Sequence, residues 1–119
     1  MKPYHDYTNY ILRQFFAHET VFARDDILSV EDYTKFVLTA SEQIAHSQAE
    51  KANYTVAALT VKGLPDNQVS ILRDVYADSD ASIARNVQNC AKKAGMNEKA
   101  VWDIVRTVSQ EIARMRGLI

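Results

Sequence analysis

Glycine and proline are scarce in this chain of 119 residues, which contains only three glycines and two prolines. Both residue types interrupt regular secondary structure, and an all-β protein needs many turns between its short strands. So few interruptions over this length favour long helices. Hydrophobic residues make up 47% of the chain, which is enough for one compact domain with its own core. The sequence therefore predicts an all-α domain of five or six helices.

Hydrophobic periodicity predicts where the N-terminal helices lie. The first is expected over 4–23, and a second begins after Ser29, whose side chain is spaced to cap it. Residues 30–62 are interpreted either as one long helix or as two helices with a kink near 47–53. A strand over 54–61 is the less favoured alternative, because the sequence offers no second strand to pair with it.

The same reasoning divides the C-terminal half into three shorter helices. Gly63 is a suitable stop for the preceding helix, and a proline just after it suits a new start. Glycine and N-capping residues mark the later boundaries. The predicted helices cover 66–77, about 80–94 with cap candidates in Asp78-Ser79-Asp80, and about 98–115, capped by Asn97 and ended by Gly117.

Charge is distributed unevenly, although the net charge is only −1. Residues 1–79 carry 7 Lys or Arg and 11 Asp or Glu, whereas residues 80–119 carry 7 and 4. A mildly basic end on an acidic protein is compatible with binding of a polyanion, and equally with a chance imbalance of solvated charges.

We expect no targeting or membrane-spanning segment in this sequence. The single cysteine excludes an internal disulfide and suits the reducing cytosol. The opening "MKPYHDYTNY" lacks the apolar segment of a signal peptide, and no apolar run approaches the roughly 20 residues needed to span a bilayer. We expect a cytoplasmic protein that does not contact the membrane.

The stretch "CAKKAGMNEKAVWDIV", residues 90–105, has the spacing of a helix-turn-helix. Such a motif needs a small residue where its helices cross, a glycine with positive φ in the turn, and a branched apolar residue in the second helix. An ordinary helical corner would satisfy several of these positions too. The positions that meet the structural requirements are Ala91, Gly95, Met96, Val101 and Ile104.

The last predicted helix has one apolar side and one polar side with basic residues near its centre. A recognition helix presents such a side to the major groove, leading with its first residues. We expect Asn97, Lys99 and Arg106 to contact bases or phosphates, and Lys92, Lys93 and Arg114 to add phosphate contacts. Glu98 and Asp103 are anions on the same side and would oppose DNA.

Together, "LPDNQVSILRDVY" (64–76) and the helix-turn-helix stretch resemble the C-terminal DNA-binding region of bacterial sigma factors. They are more similar to phage-encoded transcription regulators that carry such a region. The resemblance covers about 64–119, just under half of the chain. It implies double-stranded DNA binding and regulation of transcription.

Two functional hypotheses remain open. In the first, residues 64–119 bind DNA, while residues 1–63 form a homodimer or contact RNA polymerase. In the second, the chain is a small phage or mobile-element protein that binds a host protein, and the helix-turn-helix is a scaffold. In both, the two regions are expected to pack as one domain.

Catalysis and metal binding have little support in the sequence. His5, His18 and His46 are scattered, without a second ligand at metal-binding spacing, and neither Gly63 nor Gly95 belongs to a phosphate-binding loop. Cys90 falls on an apolar helix side and is interpreted as a core residue. We predict a protein that is not an enzyme and has no catalytic residues, metal or cofactor.

Overall fold

Six α-helices and one short 3₁₀ turn form the fold of the described residues. The structure is a computed structural model and describes residues 3–24, 26, 29–77 and 80–119. Within these residues there is no strand, so the all-α prediction is confirmed, and no helix has the length and hydropathy to cross a membrane. The elements are α1 (His5–Ala17), the 3₁₀ turn (Glu19–Phe22), α2 (Val30–Ile44), α3 (Gln48–Lys62), α4 (Asp66–Ala77), α5 (Ile83–Ala94) and α6 (Glu98–Met115).

Four helices begin at a residue whose side-chain oxygen accepts a backbone N–H three residues later. Ser29 caps α2 over 3.0 Å and Asn97 caps α6 over 2.8 Å, as predicted. Ser47 caps α3 and Ser82 caps α5, each over 3.1 Å. The expected start of α5 near residue 80 is therefore wrong by three residues, and the cap candidates Asp78 and Ser79 lie outside the described residues.

The stretch 30–62 consists of two helices. The first ends at Ile44, and the extended backbone of Ser47 (φ −155°, ψ 166°) opens the second. The alternative of a strand over 54–61 is wrong, because this segment lies inside α3. The α2 and α3 helices pack against each other and are joined by a three-residue connection, so they form a helical hairpin.

The first helix is shorter than predicted and ends at Ala17. A 3₁₀ turn replaces its last part because the backbone leaves the helical region at His18 (φ −123°). This turn carries Phe22 into the core, where its ring lies 5.5 Å from that of Phe15 and 5.9 Å from that of Tyr54.

One hydrophobic core includes side chains from both halves of the chain. The α1 helix packs against α3, α4 and α6, and α3 also packs against α6. Leu12 and Val37 of residues 1–63 belong to the same cluster as Leu72, Val87 and Ile112 of residues 64–119. The α4–α5–α6 region is thus supported from one side by α1 and α3.

The apolar stripe of α6 is buried along most of its length, although Ile104 is half-buried; its members at helical spacing are Val101, Ile104, Val105, Val108, Ile112 and Met115. Val101, Val105, Val108 and Ile112 are at most 2% exposed. Met115, at the end of this stripe, is 42% exposed, and its sulfur accepts a hydrogen bond from the Thr60 hydroxyl at 3.6 Å. The last turn of α6 therefore extends beyond the core.

Candidate nucleic-acid interface

A three-residue turn from Gly95 to Asn97 connects α5 to α6. Gly95 has φ +68°, the left-handed conformation that the sequence predicts for it. The Met96 N–H donates to the Ala91 carbonyl over 2.9 Å, which closes the end of α5. Asn97 Oδ1 then accepts the Ala100 N–H and opens α6. The chain therefore changes direction within three residues, as a helix-turn-helix requires.

The inside of this corner contains the small and branched side chains that the sequence singled out. Ala91 is 3% exposed and Val101 is fully buried. Met96 and Ile104 are half-buried and pack against the core, as does Trp102. Both helices also contact α4, so the corner is fixed on a third helix.

The outside of the corner carries the polar residues expected to meet DNA. Asn97, Lys99 and Arg106 are all exposed. Seven residues separate Lys99 from Arg106, so the two cations lie on the same side of α6, about 10 Å apart along its axis. Lys92 and Lys93 are exposed in the last turn of α5, just before the turn.

Carboxylates accompany two of these cations. Arg106 Nη2 lies 2.5 Å from Asp103 Oδ1, and Lys93 Nζ lies 3.5 Å from Asp74 Oδ2. Among the described residues, Lys92 and Lys99 form no ion pair. Asp103 and Arg106 are three residues apart on one helix, so the sequence could have indicated this ion pair. The ion pair between Lys93 and Asp74 instead joins two helices, α5 and α4.

Arg114 lies apart from the other predicted DNA contacts. It is fifteen residues beyond Lys99, or about 22 Å along α6, and it pairs with Glu111. Its guanidinium borders a groove against α3 and does not join the corner. Arg116, two residues later, donates through Nε to Asn53 Oδ1 over 2.8 Å. The structure therefore brings together five of the six proposed contacts and separates Arg114 from them.

His5, His18 and Cys90 take structural positions, whereas His46 is exposed. His5 is buried, and His18 Nδ1 lies 3.3 Å from the Tyr54 hydroxyl. Burial raises the pKa of the Cys90 thiol, which lies 3.8 Å from the Ile71 carbonyl oxygen. Among the described residues, no three His, Cys, Asp or Glu side chains are grouped to hold a metal ion.

Comparisons of this chain with protein-family models, curated proteins and solved structures find no match. Function is therefore inferred from the side chains of the chain and their surroundings. The most informative of these lie at the α5–α6 corner.

Proposed function

We propose that this protein binds double-stranded DNA through the α5–α6 corner and regulates transcription in the cytoplasm. The observation that carries this proposal is the exposed start of α6, where Lys99 stands without an ion pair among the described residues. The positive end of the helix dipole adds to its charge. A helix that presents an exposed polar side and has an unpaired lysine in its first turn fits the width of the major groove.

Four of the six predicted contacts have a defined role in this proposal. Lys99 and Lys92 can contact phosphates directly, because among the described residues neither has to break an ion pair with a carboxylate first. Arg106 is suited to guanine, provided that DNA displaces Asp103. The side-chain oxygen of Asn97 already caps α6, which leaves its amide NH₂ to donate to a base or phosphate.

The resemblance to sigma-factor-like phage regulators supports the same proposal. In that resemblance a leucine-proline start precedes a helix that ends in an aromatic residue. Leu64 is half-buried, α4 follows it, and Tyr76 near the end of α4 is buried. The α4 helix packs against both helices of the corner, so it can serve as the supporting helix of a DNA-binding unit.

A second candidate function is binding of a host protein, with the helix-turn-helix as a scaffold. The observation that favours it is the pairing of Arg106, Lys93 and Arg114 with carboxylates. Ion pairs on this surface weaken the potential that attracts DNA. The acidic composition of residues 1–79 points in the same direction.

Fluorescence anisotropy with random duplex DNA at several salt concentrations separates these two functions. If the first is correct, the wild-type protein binds at low salt, and its affinity falls linearly with salt on logarithmic axes. The double variant Lys99→Glu with Arg106→Glu should lose binding while it retains its helical circular dichroism spectrum.

Lys35→Glu is the charge control for Lys99→Glu, although Lys35 lies 3.5 Å from Glu31 on the same helix, whereas Lys99 has no ion pair among the described residues. Lys35 is an exposed lysine on α2, so the same change in net charge is introduced away from the corner. Binding by this control should stay close to that of the wild type. Absence of wild-type affinity at low salt, or equal loss in the control and in Lys99→Glu, would refute DNA binding by the corner.

A further inference from the structure

A continuous trough runs along the outer side of α3. Its walls are α2 on one side and the C-terminal end of α6 on the other, and both of these helices pack against α3. Three grooves merge to form it, because the first shares Met115 with the second and Leu59 with the third. We call this surface the α3 trough. Its floor consists of Ala52, Thr55, Val56, Leu59, Thr60 and Gly63.

The dimensions of the α3 trough suit a helical segment. Eleven residues separate Ala52 from Gly63, which corresponds to about 16 Å, or three turns of helix. The three grooves have volumes of about 700, 350 and 500 Å³, enough to receive large apolar side chains. Most side chains of the floor are short, so a second helix can approach α3 closely.

Apolar side chains on the walls of the α3 trough are exposed. Leu38 of α2 and Met115 of α6 are each 42% exposed and line the same groove. Val30, at the start of α2, is 83% exposed and lines the groove at the other end. Single exposed apolar residues are normal on a protein surface, whereas a continuous group marks an interaction surface. The α3 trough is such a group.

Positive charge predominates in the α3 trough. Glu111 and Arg114 pair with each other, and Lys51 Nζ lies 3.6 Å from a carboxylate oxygen of Glu42, outside the grooves. Four cations therefore accompany a single anion along the described part of the trough. The charged side chains that line it are Lys51, Lys62, Arg114, Arg116 and Glu111.

Two of these cations have no carboxylate partner among the described residues. Lys62 Nζ lies 5.0 Å from the centre of the Tyr33 ring, and Arg116 Nε donates to the neutral Asn53 side chain. Lys62 is three helix turns from Lys51 on the same side of α3, and Arg116 lines the same groove as Lys51. Both ends of the trough therefore offer a cation beside exposed apolar side chains.

We propose that the α3 trough binds an acidic amphipathic helix of another protein. The apolar side of that helix packs on Leu59 between Leu38 and Met115, as in other helix-in-groove complexes. Its carboxylates, about three turns apart, lie beside Lys62 at one end and Arg116 at the other. Charge complementarity selects this partner, because a basic helix would bring further cations to a surface that already carries four.

This interaction goes beyond DNA binding and does not depend on it. Met115 lies sixteen residues beyond Lys99, about 24 Å along α6. The α3 trough and the α5–α6 corner are therefore at opposite ends of this helix, and both can be occupied at once.

Fluorescence anisotropy with a designed helical peptide tests the proposal on the full chain. The probe is a labelled peptide about four turns long, with leucine on one side, glutamate on both flanks and alanine elsewhere. We expect saturable binding in the micromolar range at low salt. The same peptide with lysine in place of every glutamate should bind at least about tenfold more weakly, because like charges then meet in the trough.

Leu38→Glu and Thr39→Glu form a matched pair of variants. Both residues are exposed on α2, but only Leu38 lines the α3 trough. Leu38→Glu should raise the dissociation constant of the acidic peptide by about tenfold or more, and Thr39→Glu by less than about twofold. Thermal unfolding followed by circular dichroism verifies that both variants are folded.

Lys62→Glu and Lys99→Glu distinguish this proposal from the proposed function. Both are exposed lysines without an ion pair among the described residues. Lys62→Glu should weaken the acidic peptide and leave DNA binding close to that of the wild type, whereas Lys99→Glu should do the reverse. Loss of DNA binding alone would refute the function of the corner and leave the α3 trough intact.

Three results would overturn the proposal. The first is no binding of the acidic peptide by the wild-type protein, and the second is equal affinity for the lysine analogue. The third is an equal effect of Leu38→Glu and Thr39→Glu. A wild-type dimer in sedimentation that Leu38→Glu dissociates would instead place a second copy in the trough, and flotation with phosphatidylserine vesicles that Leu38→Glu abolishes would place a lipid surface there.

Discussion

Thr8 and Ser109 meet in the core with their hydroxyl oxygens 2.9 Å apart, although 101 residues separate them in the sequence. Both residues are fully buried, and Thr8 also donates to the His5 carbonyl over 3.1 Å. Because Thr8 has one hydroxyl proton, Ser109 supplies the proton of the shared bond. This contact joins α1 directly to α6, and so connects the N-terminal helices to the proposed DNA-binding region.

We predict that the two hydroxyls contribute unequally to stability. Ser109→Ala removes one hydrogen bond and should cost about 1 kcal/mol, whereas Thr8→Val strands the buried Ser109 hydroxyl and should cost about 1–3 kcal/mol. The double variant should cost less than the sum of the two. Urea denaturation measures these free energies of unfolding, and Thr39→Val on the exposed side of α2 is the control. Additive costs would show that the two hydroxyls are not coupled.

Gly95 and Gly63 offer a matched test of the turn. An added Cβ meets nothing within 4 Å at Gly95, and at Gly63 its nearest neighbour is the Thr60 carbonyl oxygen at an ordinary 3.6 Å. The backbone conformation is therefore what distinguishes them, with φ +68° at Gly95 and φ −80° at Gly63. Gly95→Ala should destabilise by about 1–2 kcal/mol, and Gly63→Ala should stabilise by about 0.4–1 kcal/mol. Equal melting temperatures for both variants would contradict the left-handed turn.

Asp103→Asn should strengthen DNA binding if the corner meets the duplex. The change removes a negative charge from the DNA side of α6 and releases Arg106, which Asp103 now holds at 2.5 Å. We expect a gain of about 0.5–1 kcal/mol and a salt dependence steeper by about one unit. Glu111→Gln is the control, because it releases Arg114 in the same way but far from the corner. Unchanged affinity in Asp103→Asn would count against Arg106 as a contact.

His5 should make stability depend on pH. Burial is the main cause that lowers its pKa below 6.5, and the positive charge of Arg106 lowers it further. The unfolded chain therefore holds a proton on His5 at a higher pH than the folded chain does. The contribution of His5 to the free energy of unfolding should be fully present above about pH 6.5. It should be lost as the pH falls through the lowered pKa of the folded state. In His5→Gln this part of the dependence should disappear from urea denaturation curves, and an unchanged profile would exclude His5 as its source.

The sequence by itself determined the helical class, the bounds of α4 and α6, the caps at Ser29 and Asn97, and the conformation of Gly95. These features depend on interactions within a few residues: hydrophobic periodicity, a side chain that bonds a nearby N–H, and the steric freedom of glycine. The ion pair between Asp103 and Arg106 is equally local, since a spacing of three residues on one helix places the two charges next to each other.

The tertiary structure alone decided which distant residues meet. The contact of Thr8 with Ser109, the hydrogen bond from Arg116 to Asn53 and the exposure of Met115 depend on how α1 and α3 pack against α6. Periodicity assigns Met115 to the apolar stripe of α6, but it does not determine where the neighbouring helices end. Burial is a property of the packed helices together, so the exposure of Met115 became visible only in the folded chain.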